Sequence, residues 1–131
     1  MTEPTTVSRK DKPQKSALSQ ALVRVCSQWP ALWPQWKQRE FRPVAVGIGT
    51  RMREWIKLHP ETDVTGKDIK RVMAFVMSRR RYHRQVTAGA TRFGLDGQPA
   101  GTVTEQEAEW ARKQIDVITE KRARASAARE D

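Results

Sequence analysis

The sequence predicts a predominantly helical α+β domain, and three observations lead to this fold class. Several stretches place apolar residues at the i, i+3, i+4, i+7 spacing of an amphipathic helix. One short segment carries an Asp-Gly pair between two extended stretches, which is typical of a β-hairpin. The chain has 131 residues, which is enough for one compact domain and too few for two ordinary ones.

The first third of the chain predicts a polar tail, a helix and a tryptophan-rich segment. Residues 1–15 have too few apolar groups to offset the entropy of ordering, so we expect a disordered basic tail. Ser16 is the candidate N-cap of a helix that ends near Cys26. Pro30 and Pro34 then prevent a further helix. We expect the three tryptophans around these prolines to pack onto the domain: Trp29, Trp33 and Trp36.

Two helices are predicted in the middle of the chain. Thr50 is the candidate N-cap of the first helix, and Pro60 ends it. Thr65 opens the second helix, which we expect to continue to about Arg84. Four residues of this second helix share its core-facing sector: Ile69, Val72, Met73 and Val76.

The last third predicts a hairpin and a final helix. Residues 91–95 form one strand, and Asp96-Gly97 suits a type I′ turn into a short edge strand. Thr104, with Glu107 three residues later, forms a capping box that starts the final helix.

These elements define one domain at residues 16–121. Residues 1–15 precede it as the tail, and residues 122–131 are either the end of the last helix or a disordered tail. The sequence has no run of 18 apolar residues, which excludes a transmembrane span. Its N-terminus lacks the apolar stretch of a signal peptide, so we expect a cytoplasmic protein.

Basic residues dominate the charge balance. The chain has 25 Lys and Arg against 15 Asp and Glu, a formal net charge of +10. Residues 67–92 hold eight basic residues against Asp68 alone, a net charge of +7. Because a solvated helix face usually mixes both signs, this block indicates a polyanionic partner such as nucleic acid.

The sequence contains no recognisable catalytic motif. It lacks the Gly-x-Ser-x-Gly elbow, the Walker loop and the Gly-x-Gly-x-x-Gly fingerprint. Cys26 is assigned to the core, and a single cysteine excludes a disulfide framework within the chain and a Cys-based zinc site. With only His59 and His83, a metal centre is not expected. We therefore predict a binding protein without a cofactor, metal or small-molecule substrate.

One stripe of the helix predicted at residues 65–84 combines positive charge with aromatic rings. Its members lie at positions i, i+4, i+7 and i+11: Arg71, Phe75, Ser78 and Tyr82. Such a stripe suits nucleic acid, because a cation pairs with phosphate and a ring stacks on a base. Packing of Phe75 beneath a neighbouring loop is the structural alternative.

The start of the same helix is a second candidate site for a phosphate. The first N–H groups of a helix are unpaired and carry partial positive charge. Gly66 allows close approach to the backbone, and Lys67 adds a full charge. An ordinary N-cap at Thr65 explains the same residues equally well.

Four blocks of the sequence recur together in a known family. They are Trp29-Pro-Ala-Leu-Trp33, Arg42-Pro-Val-Ala-Val-Gly-Ile48, Arg81-Tyr82, and Gly89-Ala-Thr-Arg-Phe-Gly-Leu-Asp-Gly-Gln-Pro-Ala-Gly101. In this order and spacing they closely resemble the FinO domain of the ProQ/FinO family of bacterial RNA chaperones. The resemblance covers about residues 16–121. It implies a FinO-like domain of about five helices with a small β-hairpin.

The resemblance also implies a function. Members of the family bind structured RNA, typically the base of a terminator-like hairpin with its single-stranded 3′ tail. They protect such RNAs or promote sense–antisense pairing or the pairing of small regulatory RNAs with mRNA in post-transcriptional regulation. The expected partners are therefore small regulatory RNAs, mRNA 3′ ends and intrinsic terminators, bound by a monomer.

The resemblance carries specific residues onto this chain. Tyr82 matches the tyrosine of the family, and Arg92 matches the arginine after Gly-Ala-Thr. Lys70 stands where relatives often carry a basic residue, whereas Ala74 replaces a basic residue one turn later. The segment from Thr65 to Lys67 matches the helix start that resembles a cradle for the terminal phosphates of the RNA. The candidate RNA-binding residues are Arg42, Thr65, Lys67, Lys70, Arg71, Arg81, Tyr82, Arg84 and Arg92.

Within this set, we expect Tyr82 and Arg92 to line a small pocket that hydrogen-bonds the hydroxyl of a 3′ end. The expected contacts to the stem backbone come from Lys70, Arg71 and Arg81. Two other classes of function remain open. A regulator of double-stranded DNA would place the helix at residues 68–84 in a major groove, and a ribosome-associated protein would use its charge only to neutralise ribosomal RNA.

Overall fold

The described part of the protein folds into five α-helices and one β-hairpin. Its structure is a computed structural model that describes the backbone of residues 16–130 and the side chains of residues 16–128. The predicted fold class is confirmed, and the predicted tail at residues 1–15 lies outside the described residues. The elements in chain order are α1 (Ala17–Gln28), a 3₁₀ turn (Trp36–Gln38), α2 (Ile48–Leu58), α3 (Gly66–Met77), α4 (Arg80–Gln85), β1 (Thr91–Phe93), β2 (Pro99–Thr102) and α5 (Glu105–Glu130).

Helix α1 begins where the sequence predicts and forms one wall of the core. The hydroxyl oxygen of Ser16 accepts a hydrogen bond from the backbone N–H of Ser19 at 3.0 Å, which confirms the N-cap. The helix ends at Gln28, slightly later than predicted, and its buried side packs on α3. Cys26 lies on that buried side, and burial raises the pKa of its thiol to about 12. Its assignment to the core is confirmed.

The tryptophan-rich segment after α1 packs its rings edge to face. Trp29 contacts Trp55 of α2 with 5.4 Å between ring centroids, and Trp33 contacts Phe41 with 5.1 Å. Trp29 and Trp33 are buried, and Trp36 is half-buried against the same core. The predicted packing of the three tryptophans is therefore confirmed.

Helix α2 begins before its predicted N-cap. The prediction that Thr50 caps this helix is wrong, because the N-cap is Gly47, with a φ of 80°. A residue with a Cβ atom rarely adopts this left-handed conformation, so a glycine and not a hydroxyl side chain sets the turn. The helix ends just before His59, whose ring stacks on Trp55 with 3.8 Å between centroids.

The predicted single helix over residues 65–84 is wrong, because the chain forms two helices there. Ser78 donates its hydroxyl hydrogen to the carbonyl of Phe75 at 2.7 Å, a local bond that competes with helix continuation. Arg79 then adopts an extended conformation with a ψ of 127°, and the chain changes direction into α4. The predicted core positions of α3 are buried or half-buried: Ile69, Val72, Val76 and Met73.

The break between α3 and α4 turns the side chains of α4 inward. Tyr82 and His83 are both buried, so the predicted outer stripe from Arg71 to Tyr82 is not one helix face. His83 donates from Nε2 to the carbonyl of Met77, the last residue of α3, at 2.7 Å. This bond provides a partner for a carbonyl that the end of a helix leaves unpaired.

The hairpin forms at the predicted place, but its turn differs from the prediction. A type I′ turn needs positive φ at both central residues, and in this turn only Gly97 has one, at 80°. The loop is closed by hydrogen bonds from Gly94 N–H to the Gln98 carbonyl and from Gly97 N–H to the Gly94 carbonyl, both 2.9 Å. A Cβ atom on Gly97 would lie 2.7 Å from that of Ala31, so the turn packs directly on the tryptophan-rich segment.

Residues 43–45 run parallel to β1 and extend the hairpin. The backbone N–H of Phe93 donates to the carbonyl of Pro43 at 3.0 Å, and the N–H of Ala45 donates to the carbonyl of Phe93 at 2.9 Å. The intervening Val44 directs its own N–H and carbonyl away from β1, because these groups alternate sides along an extended chain. They need other partners, since Val44 is buried.

Helix α5 begins with the predicted capping box. The N–H of Glu107 donates to the hydroxyl of Thr104 at 3.1 Å, and the N–H of Thr104 donates to the carboxylate of Glu107 at 3.0 Å. The helix continues to Glu130, so the predicted end at residues 122–131 is helical up to that residue. None of the described helices is long and apolar enough to cross a membrane.

Asp68 joins the start of α3 to α1, and we expect its charge to stabilise the fold. Its buried carboxylate accepts two hydrogen bonds from Arg24, each 2.9 Å, and one from the N–H of Thr65 at 3.0 Å. The bonds from Arg24, more than the others, hold the pKa of Asp68 below its ordinary value. Asp68→Asn should lower the free energy of unfolding by about 2 kcal/mol at pH 7.

The loss of unfolding free energy in Asp68→Asn should be larger at neutral pH than in acid. Because the pKa of Asp68 is depressed in the folded state, its stabilisation is complete above about pH 4 and disappears as pH falls through the folded-state value. Urea unfolding of both proteins between pH 3 and pH 7 measures the difference. Glu61→Gln, at an exposed acid nearby, is the control and should change little. A difference that stays constant down to the lowest pH contradicts the role of the charge.

Candidate nucleic-acid interface

A cavity of about 460 Å³ opens where α2, α3, α4, β1 and α5 meet. Three of the predicted RNA-binding residues line it, each from a different element: Lys70 from α3, Tyr82 from α4 and Arg92 from β1. The described chain has no group of three or more His, Cys, Asp and Glu side chains that could hold a metal ion. These three side chains give the cavity positive charge and hydrogen-bond donors.

Tyr82 contributes a neutral hydroxyl to the cavity wall. The residue is only 4% exposed, and burial raises the pKa of its phenol, so the hydroxyl keeps its hydrogen at neutral pH. Its oxygen accepts a hydrogen bond from the backbone N–H of Val44 at 3.4 Å. This bond uses the oxygen as acceptor and leaves the hydroxyl hydrogen available to a ligand oxygen.

Arg92 is held against the cavity by two partners. Its Nη1 donates to the carbonyl of Val44 at 2.7 Å, and its Nη2 donates to the carboxylate of Glu107 at 3.1 Å. The Thr104 N–H first, and Arg92 second, hold the pKa of Glu107 below its ordinary value, so this pair is charged at neutral pH. Glu107 therefore offsets part of the positive charge that Arg92 brings to the cavity.

Helix α4 borders two cavities, the larger of about 460 Å³ and the smaller of about 160 Å³, and five arginines from α4 and its surroundings line the smaller one. A further cavity of about 740 Å³, which Arg92 also lines, lies between α2 and the hairpin and has no residue of α4 in its lining. We call the five arginines the arginine cluster: Arg79, Arg80, Arg81, Arg84 and Arg122. Within the described residues, no salt bridge joins the cluster to a carboxylate. Burial, and after it the charges of neighbouring arginines, lower the pKa of Arg79. Like charges are thus held together at a cost that a bound anion would relieve.

Two of the predicted residues, Arg81 and Arg84, belong to the arginine cluster. Both are exposed. Arg81 donates to the carbonyl of Gln38 at 3.0 Å, and Arg80 donates to Thr119 of α5 at 3.1 Å. Helix α4 therefore carries Tyr82 into the larger cavity while its arginines line the smaller one.

The remaining predicted residues of α3 and its N-cap lie outside both cavities. Thr65, Lys67 and Arg71 are exposed. The side chain of Thr65 accepts a hydrogen bond from the N–H of Asp68 at 3.2 Å, and the Asp68 carboxylate accepts one from the N–H of Thr65. A carboxylate already occupies this helix start, so it attracts a phosphate less than the sequence suggests.

Phe75 is half-buried in the fold. Its ring contacts Phe41 edge to face with 6.0 Å between centroids, and the guanidinium of Arg79 lies 5.0 Å from the ring centroid. These contacts favour the packing alternative for Phe75 over stacking on a base. Ala74 is exposed on the same helix.

Three further residues line the larger cavity although the sequence does not single them out for binding. Arg53 comes from α2, His83 from α4 and Trp110 from α5. Trp110 follows Glu107 by three residues and so lies on the same helix face, which is the pattern that could identify it. The sequence offers no comparable pattern for the other two residues. The position of His83 depends on the break after α3, and that of Arg53 depends on the early start of α2.

Arg42 lines neither cavity, and we expect it to act mainly on stability. Its guanidinium stacks on Phe93, 3.7 Å from the ring centroid, and donates to the carbonyls of Leu32 at 3.1 Å and Ala31 at 2.6 Å. Arg42→Ala should lower the free energy of unfolding by about 2 kcal/mol. Arg42→Lys keeps the charge but loses the planar fork, and should be nearly as unstable. Chemical denaturation measures both; a fully stable lysine variant contradicts this role.

Comparisons with known proteins agree with this fold. The chain resembles the solution NMR structure of a ProQ homolog from Legionella pneumophila, with a TM-score of 0.61 and 16% identity over 79% of this chain and 84% of that one. It also resembles the crystal structure of a FinO-like RNA chaperone from Neisseria meningitidis MC58, with a TM-score of 0.51 and 25% identity over 88% of this chain and 95% of that one. A model of the ProQ/FinO family matches residues 14–128, and the chain therefore belongs to the ProQ/FinO family.

Proposed function

We propose that this protein is an RNA-binding protein and RNA chaperone that captures a hairpin stem together with its single-stranded 3′ tail. The observation that carries the proposal is the cavity lined by Lys70, Tyr82 and Arg92, together with the arginine cluster, three of whose members lie on α4, the helix that carries Tyr82. Membership of the ProQ/FinO family and the likeness to a FinO-like RNA chaperone support the same class of function.

In this proposal the larger cavity receives the 3′ end of the RNA. A cavity suits a chain end because an internal nucleotide requires the backbone both to enter and to leave. The Tyr82 hydroxyl donates to an oxygen of the last nucleotide, and the fixed guanidinium of Arg92 supports it. Lys70 and Arg53 supply charge for the neighbouring phosphates.

The arginine cluster contacts the stem. A-form RNA hides its base edges in a deep groove, so a protein recognises the stem mainly through phosphates and 2′-hydroxyls. Arg81 and Arg84 are exposed arginines placed for such contacts. Lys67 and Arg71 of α3, with the helix start at Thr65, are further candidates. Arg42 contributes indirectly by holding β1 in place.

The chaperone role follows from these two contacts. A 3′ end held in a cavity is inaccessible to enzymes that degrade RNA from that end. A basic surface also screens the repulsion between two RNA strands, which speeds pairing of a small regulatory RNA with its mRNA. Neither step requires a cofactor, a membrane or a second copy of the chain, and we place the protein in the cytoplasm.

The first experiment compares one terminator hairpin whose tail ends in a free 3′ hydroxyl with the same RNA carrying a 3′ phosphate. We expect the phosphate to weaken binding roughly tenfold, because it removes a hydroxyl contact and adds charge and bulk in the cavity. Tyr82→Phe should bind both RNAs with similar, weak affinity. Thermal unfolding of the variant controls for the lost bond to Val44. Equal binding of both RNAs by the wild type contradicts the end-binding cavity.

The second experiment measures the salt dependence of binding. About five phosphate contacts give a slope of roughly −4 in a plot of log affinity against log salt concentration. Arg84→Ala should flatten this slope by about one contact, or roughly 0.8. Arg124→Ala removes the same charge from an exposed position outside the cluster, where Arg124 pairs with Glu120, and should leave the slope unchanged. A flat wild-type response would exclude the phosphate contacts.

Two other outcomes would redirect the proposal. Tighter binding to a blunt DNA duplex than to the tailed RNA would support a DNA-binding regulator. Stoichiometric cosedimentation with ribosomes at high salt would support a ribosome-associated protein. Both measurements use the same purified protein and need no variant.

A further inference from the structure

We infer that Trp110 forms a stacking platform for an unpaired base at the mouth of the cavity that holds Tyr82 and Arg92. This inference rests on the proposed function and adds a contact to the base, whereas the contacts proposed so far reach only phosphates and sugar. The ligand is a nucleobase of the single-stranded 3′ tail.

The exposure of Trp110 is the first observation. Its side chain is 55% exposed although tryptophan carries one of the largest apolar surfaces of any residue. The other four tryptophans of the chain are buried or half-buried. A scattered exposed apolar residue needs no explanation by itself. Trp110 differs because it lines a cavity that also contains three cationic side chains: Arg53, Lys70 and Arg92.

The support beneath the ring is the second observation. The ring of Trp110 contacts the buried ring of His83 in a T-shaped arrangement, with 5.7 Å between centroids and 71° between planes. His83 is in turn fixed by its bond from Nε2 to the carbonyl of Met77. A ring in contact with a fixed neighbour keeps its orientation, and Trp110 does so while its side chain remains largely open to solvent, which favours stacking over adaptable packing.

The position of Trp110 along α5 is the third observation. Glu107, one turn earlier, binds Arg92 at 3.1 Å, so this face of α5 is anchored to the cavity wall. The ring therefore lies beside the charged groups proposed for the last phosphates. A strand that places its end phosphates there brings its adjacent base within reach of the indole. Stacking tolerates any base, because every base has a π-face.

The test is a cycle that combines a protein variant with an RNA lacking one base. The RNAs are the tailed terminator hairpin and versions of it with a single abasic site at each of the last three tail positions. We expect Trp110→Leu, which keeps apolar bulk against His83 but removes the aromatic face, to weaken binding of the intact tail roughly tenfold. An abasic site at one of these positions should weaken wild-type binding by a similar factor. For that RNA, the variant and the wild type should have the same affinity.

Two controls separate stacking from other effects. Val117→Leu changes a half-exposed apolar residue on the same helix, outside the cavity, and should bind every RNA as the wild type does. Trp110→Phe retains an aromatic face and should recover most of the affinity. Thermal unfolding of each variant shows whether the contact with His83 only stabilises the fold.

The outcomes are distinguishable. If Trp110→Leu weakens the intact and all abasic RNAs by the same factor, or weakens none, the stacking platform is excluded. In either case, a wild type that still shows the salt dependence and the preference for a free 3′ hydroxyl supports the proposed function without a stacking platform. If the wild type shows neither property, the proposed function fails, and the platform fails with it.

Discussion

The backbone of Val44 joins the candidate site to the rest of the fold. Its N–H donates to the hydroxyl of Tyr82, and its carbonyl accepts from Arg92. Both backbone groups point away from β1 and are buried, so without these two side chains they would have no partner. The residues proposed to bind the RNA end are therefore also the residues that satisfy a buried peptide. Stability and binding are coupled at this point, and every variant there needs a stability measurement beside its binding measurement.

The arginines of this protein differ in whether a carboxylate lies beside them. Arg24, Arg42 and Arg92 are engaged by a carboxylate, by carbonyls or by an aromatic ring, and they hold elements together. The arginine cluster has no carboxylate among the described residues to neutralise it. Burial first, and the charges of neighbouring arginines after it, lower the pKa of Arg79. Net charge alone does not show which arginines are neutralised by a carboxylate; the contacts of each guanidinium do.

The sequence predicts the core of this fold and three of its four proposed helix caps, because these depend on neighbouring residues. Ser16, Thr65 and Thr104 each cap a helix through a residue three positions later, which a local pattern can show. No proline or glycine near Ser78 indicates in the sequence that the helix breaks there. The break depends on one hydroxyl and on tertiary contacts of α4 that helical periodicity cannot represent. The same break buries Tyr82, which a continuous helix would expose.

The candidate site is less predictable because several distant segments build it. The family resemblance identifies Lys70, Tyr82 and Arg92, and the structure brings these three together. The resemblance does not show that Arg42 stacks on Phe93 and donates to two carbonyls. Those partners come together only when the tryptophan-rich segment meets β1. Trp110 is a second residue whose surroundings the sequence does not show. Its helical spacing from Glu107 is visible in the sequence, but the cavity beside it is not.

The short length of α4 ties the two halves of the proposed interface together. One helix of six residues presents Tyr82 to the larger cavity and arginines to the smaller one. Tyr82 stands between Arg81 and Arg84 along this helix, so the two contacts lie on different sides of the same short segment. An RNA that places a stem and a free end at these two contacts binds both in one step, and the second contact then forms at high effective concentration. A longer tail must loop to reach the cavity and loses part of this advantage to chain entropy. The break after α3 is what creates this arrangement, because a continuous helix would separate the ring of Tyr82 from the cavity. It also removes the single long helix on which major-groove recognition of DNA depended.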